Sequence, residues 1–146
     1  MERRAFDPWQ AVDEHADLLV VFDPVAGLMG GGFHARAGGL AVIVLDPDLD
    51  GPLRRTVLTH ELVHHERGGG PARVGTPVTL ALLVARDERA VDDEVARRLV
   101  PVDELASVVE ELVGANGGAT DRDVAGHFGV PLDVARRAMQ QLANRA

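Results

Sequence analysis

Two histidines and a glutamate stand in the order His60-Glu61-Leu62-Val63-His64. Residues four apart on an α-helix lie on one face, one turn above the other, so the two imidazoles can converge on a single ion. Glu61, rotated by one residue from His60, is placed to reach a water bound to that ion and to take its proton. This is the H-E-x-x-H arrangement of zinc peptidases, two ligands and a general base on one helix. Catalytic zinc takes three protein ligands and keeps a fourth position for water, and two histidines with one glutamate form an established set. The third ligand should arrive on a second helix. The stretch Asp87-Glu88-Arg89-Ala90-Val91-Asp92-Asp93 offers Glu88, far enough beyond His64 for a loop and a return. Asp92 lies one turn on, on the same face, where a carboxylate can accept the free ring N–H of a ligand histidine and fix its tautomer. Taken alone, that stretch reads as a solvated acidic face; beside H-E-x-x-H it reads as a ligand. Histidine and carboxylate ligands accept several divalent ions, so Mn2+ stands beside Zn2+ as the cofactor.

Peptide hydrolysis at such an ion gains from a further donor to the developing oxyanion. The chain has no Tyr, which leaves His34, His65, His127 or an Arg. His34 is the candidate transition-state donor, in a glycine-rich segment whose edge strand could pair with an extended substrate. His65 follows a ligand and points about 100° away on a 3.6-residue helix, to solvent or to a supporting role. His127 lies in the tail and reads as structural.

The elements that must carry these residues are legible from local signals. Asp7-Pro8-Trp9 opens a helix that runs to about Ala16, with Asp7 as N-cap and Pro8 at the first helical position. Residues 17–23 are apolar and β-branched and read as a strand, closed by Pro24. Glycines crowd residues 26–39, which must turn and hold a short edge strand near 33–37. Residues 40–45 make the clearest strand, stopped by Asp46-Pro47. A helix near 52–67 carries the motif and ends at Gly68-Gly69-Gly70. A loop follows to Pro77, then a helix over 78–100, another to about Val113, a break at Gly114-Ala-Asn-Gly-Gly118, and two short tail helices about Gly129-Val-Pro131. The expected organisation is a catalytic domain over 1–113 and a small subdomain over 119–146.

The 146 residues suit one compact domain or a domain with a small appendage, and 46% hydrophobic content supplies a core. With four Phe and one Trp, that core must be packed from Leu, Val and Ala. The absence of Cys excludes disulfides and thiolate metal sites. A net charge of −8 argues against general nucleic-acid binding, which relies on cations meeting phosphates. The charged start with its Pro8 has no apolar core for a signal peptide, and no run approaches the roughly 20 residues of a membrane helix. The expectation is a soluble cytoplasmic protein with no membrane partner.

With these residues on the page, the chain resembles the ImmA/IrrE family of metallopeptidases, as found in short phage and actinobacterial members. The resemblance rests on four stretches across residues 40–142. They are the strand Leu40–Leu45 and the helix into His60-Glu61-Leu62-Val63-His64; Glu88-x-x-Val91-Asp92; Ala96-Arg-Arg-Leu-Val-Pro101; and Asp123-Val-Ala-x-x-Phe-Gly-Val-Pro131 with Val134-Ala-x-Arg137. Val63 and Glu94-Val95 depart from the family's commoner small or aromatic residues. The resemblance implies an α+β, zincin-like fold with a small antiparallel or mixed sheet. It implies His60, His64 and Glu88 as ligands, Glu61 as base, and a protein substrate, commonly a helix-turn-helix transcriptional repressor cleaved to release silenced genes.

The tail from Thr120 also looks like a helix-turn-helix, and its second helix carries Arg136, Arg137, Gln140, Gln141 and Asn144, which could meet bases or phosphates. The alternative function is therefore a non-cleaving regulator or a DNA-binding protein. The acidic chain and the lack of a basic arm favour a tail that packs on the rest, and direct nucleic-acid contact is not expected.

Overall fold

The structure, a computed structural model, describes residues 5–68 and 78–145. Those residues form an α+β protein of six α-helices, one 3₁₀ helix and a three-stranded mixed sheet. They divide into two compact units, residues 7–68 with 78–91, and residues 92–145 with 5–6.

In the first unit, α1 (Pro8–Asp13) starts where the Asp7 carboxylate accepts the Trp9 N–H at 2.9 Å, with Pro8 in the first turn. The helix stops at Asp13, short of Ala16, and a turn leads into β1 (Leu18–Phe22). The glycine-rich segment holds a 3₁₀ helix (Pro24–Met29) that the composition did not announce, capped by Asp23 and released by Gly30 at φ 80°. It delivers the chain to β2 (Gly32–Ala37), which turns at Gly38-Gly39 into β3 (Leu40–Leu45). Gly38 sits at φ 61°, the positive angle a two-residue hairpin turn needs. β3 is the central strand, antiparallel to β2 and parallel to β1, in the order β1-β3-β2. Ala41, Ile43, Val44 and Leu45 of β3 are buried, as expected of the strand paired on both sides.

Helix α2 (Gly51–Glu66) packs on β2 and β3. The Asp50 carboxylate accepts the Leu53 N–H at 2.9 Å, and Gly68 at φ 90° turns the chain away. Leu58 and Leu62 are fully buried; burying a Leu contributes about 1.5–3 kcal/mol. The approach to the sheet is close enough to select glycine: a Cβ on Gly32 would meet Val57 Cγ1 at 2.6 Å. The expected loop from Gly69 to Pro77 lies outside the described residues.

Helix α3 (Val78–Leu99) runs from one unit into the other. The second unit continues with α4 (Val102–Asn116), α5 (Asp121–Phe128) and α6 (Leu132–Asn144). Thr120 and Asp123 form a reciprocal capping box at α5, and Gly129 at φ 64° makes the turn into α6. The buried residues here are small and aliphatic: Val95, Ala96, Leu105, Val124, Ala135 and Ala138. The units divide between Val91 and Asp92, not at the Gly114–Gly118 break. The reason is packing: α4 contacts both tail helices, α5 and α6, so the glycines turn the chain inside one unit. Among the described residues no helix is long and apolar enough to cross a membrane.

Candidate metal centre

The sequence His60-Glu61-Leu62-Val63-His64 lies within α2, and Glu88 lies on α3 in the same compact unit. The 3.6-residue period stacks His60 and His64, with ring centroids 4.8 Å apart. Glu88 stands between them. One carboxylate oxygen is 3.3 Å from His60 Nε2 and the other is 2.9 Å from His64 Nε2. One ligand atom from each of the three residues falls within 4.8 Å of the others.

Two donors of one tetrahedral zinc, each about 2.0–2.1 Å from the ion, are separated by roughly 3.3 Å; Glu88 keeps that spacing from His60 and stands closer, at the 2.9 Å of a hydrogen bond, to His64. Each Nε2, when deprotonated, presents its lone pair to the same space as a Glu88 oxygen. The donor set fits Zn2+ or Mn2+ and gives no hold for a soft-metal thiolate site. Burial pushes the His64 imidazole below its ordinary pKa, against the pull of the neighbouring Glu88 carboxylate, and the charge of His60 pushes the same way as burial. A neutral imidazole is the form that ligates. Asp87 carries a buried Oδ2 without a hydrogen-bond partner and acts on the charge of His64; a cation at the triad would offset that carboxylate.

The second helix is held by a contact that spacing did not reveal. Arg67, at the end of α2, donates from Nη2 to Asp87 Oδ1 at 2.8 Å, one residue before Glu88. Glu61, next to His60 in sequence, is buried, 8% exposed, whereas the His60 and Glu88 side chains keep 26% and 29% of their surface open. On α2 a sheltered carboxylate therefore directly follows one member of a partly open group of donors.

His34 lies on β2 opposite Ile43, with Nε2 2.9 Å from His65 Nδ1. Burial first, and then the charges of His65, Arg36 and His64, push its pKa down. His65 is buried, 6% exposed, and not solvent-facing. Besides His34 it has Asp17 Oδ1 3.6 Å from its Nε2 and the ring of His15 at 5.2 Å, edge-on. His15 and Asp17 were not singled out from the sequence; the doubled histidine His64-His65 was the available signal. Asp92, expected as an acceptor for a ligand imidazole, belongs to the second unit, where Arg137 Nη2 is 3.9 Å from its Oδ2. His127 lies on α5, its ring packed against Phe128.

The basic residues of α6 meet carboxylates of their own unit. Arg136 pairs with Asp121 at 3.3 Å, Arg137 with Asp93 at 2.8 Å, and Arg145 with Asp103 at 2.8 Å, while Gln141 donates to the Asp93 carbonyl at 2.9 Å.

Compared with known proteins, the chain matches no family model, no curated protein and no solved structure.

Proposed function

We propose that this chain is a zinc metallopeptidase of the ImmA/IrrE type, with a zincin-like arrangement of α2, α3 and the small sheet. The observation that carries the reading is Glu88, whose two oxygens stand 3.3 and 2.9 Å from the Nε2 atoms of His60 and His64. His60, His64 and Glu88 would hold the ion, Zn2+ or Mn2+. When bound, the metal lowers the pKa of water and polarises a peptide carbonyl.

The protein's own residues supply the rest. Glu61 takes the proton of the attacking water and passes it to the departing amine. Its burial keeps that proton from bulk solvent. His34 donates to the oxyanion, its neutral form favoured by burial. The edge position of β2 suits an extended protein segment. The resemblance to ImmA/IrrE proteins points to a helix-turn-helix repressor as that substrate, met in the cytoplasm. The pairing of Arg136, Arg137 and Arg145 with carboxylates supports a tail that packs within the protein over one that grips DNA.

The test measures metal content and cleavage together. Wild type and Glu61→Gln should each retain an ion that His60→Ala loses, and Glu61→Gln should cut a repressor substrate slower by on the order of 10²–10⁴. No ion in wild type after reconstitution with zinc would sink the reading.

A further inference from the structure

The residues around His65 form a second group of donors that the proposed catalytic set does not use. His15 follows α1, Asp17 precedes β1, and His65 lies in the last turn of α2. One ligand atom from each lies within 4.8 Å of the others. The pair His65 Nε2 and Asp17 Oδ1 is separated by 3.6 Å. That is too long for an N–H···O hydrogen bond. It is close to the separation of two donors on one tetrahedral ion, roughly 3.3 Å.

The far side of the His65 ring has what a ligand histidine needs. Its Nδ1 is 2.9 Å from His34 Nε2, a true hydrogen-bond distance. If the proton sits on Nδ1 and is donated to His34, the Nε2 lone pair is left facing Asp17 and His15. Such a bond on the second nitrogen fixes the tautomer and aim of most metal-bound histidines. A further carboxylate is at hand, since Glu66 Oε1 lies 3.7 Å from His15 Nε2.

We propose that His15, Asp17 and His65 form a second divalent-metal site, oriented by His34. Two imidazoles and a carboxylate select a borderline transition ion such as Zn2+ or Co2+ over Mg2+ or Ca2+, which want oxygen cages. The ion ties the connection between α1 and β1 to the last turn of α2. No ligand is shared with His60, His64 and Glu88, so the site stands whether or not that triad is catalytic.

Stoichiometry tests it. Metal-stripped full-length protein is titrated with Co2+, read by its visible absorption, and with Zn2+, read by mass spectrometry after dialysis. Wild type should hold two ions per chain. His60→Ala should hold one, His15→Gln and Asp17→Asn one each, and His60→Ala with His15→Gln none. His15 and Asp17 side chains are 31% and 46% exposed, so both substitutions leave the core intact. One ion in wild type that survives in His60→Ala and is lost in Asp17→Asn would uphold this site while removing the catalytic one. Equal stoichiometry in wild type, His15→Gln and Asp17→Asn, or no ion in His60→Ala, overturns the proposal.

Discussion

At the scale of single residues, the Arg67–Asp87 pair links the end of α2 to the residue beside Glu88. The Arg67 side chain is 44% exposed, and an exposed pair contributes at most about 1 kcal/mol. Arg67→Met should therefore weaken zinc binding only by up to about fivefold, read by competition with a chelator, whereas Glu88→Gln should cost far more. Equal losses from the two would mean that Glu88 is not a ligand. His60, His64 and Glu61 were legible because H-E-x-x-H is a local pattern whose geometry follows from one helical period. That Glu88 would come near His60 and His64 was legible once a third ligand was sought. The partners of His65 were not, because His15 and Asp17 reach it only through the packing of α1 on α2 and the turn from α1 into β1, a relation no spacing encodes.

At the scale of elements, the seat of α2 on the sheet depends on Gly32. A methyl there would stand 2.6 Å from Val57 Cγ1, and overpacking of this kind costs about 1–3 kcal/mol. Gly32→Ala should lower the melting temperature, and adding Val57→Ala should restore much of it; no recovery in the double variant would place the strain elsewhere. The α5 cap gives a second check. The Thr120 N–H and hydroxyl both donate to Asp123, which holds that carboxyl below its ordinary pKa of 3.8. A carboxyl depressed in the folded state stabilises fully above its unfolded pKa, and the gain is lost as pH falls from near 3.8 through the folded value. Asp123→Asn should lower thermal stability at pH 7 and lose its deficit towards pH 3. A deficit unchanged with pH would rule the charge out. Caps, prolines and glycines made most helix ends readable from sequence. The 3₁₀ helix at Pro24–Met29 was not, because glycine says only that the chain turns, not how.

At the scale of the whole molecule, the α+β character followed from two apolar strands among amphipathic segments. The division into units did not follow from the Gly114–Gly118 break. Composition shows where a chain can bend, while Leu105 and Val108 of α4, before the break, and Ala135 and Ala138 of α6, after it, are buried within one unit. Arg136, Arg137 and Arg145 are engaged by Asp121, Asp93 and Asp103 on a chain of net charge −8. Duplex DNA should accordingly bind no tighter than weak, non-specific association, about 10⁻⁴–10⁻⁶ M at physiological salt. Sequence-selective binding at nanomolar concentration, measured by anisotropy, would reverse that view and restore the tail as a reader of bases.

The last turn of α2 has one more consequence. A helix ends in carbonyls without intrahelical partners, and its aligned peptide dipoles place about half a negative charge there. His64 and His65 occupy that turn, with Glu66 on it and Asp87 and Glu88 close by. Arg67 answers the charge of Asp87, and Glu66, Glu88 and the helix end remain to bias the local potential negative before any ligand arrives, so that it draws cations in and turns anions away. A peptide presented to this face should carry neutral or basic side chains next to the bond to be cut, and a glutamate or aspartate at those positions should be the substitution that protects it.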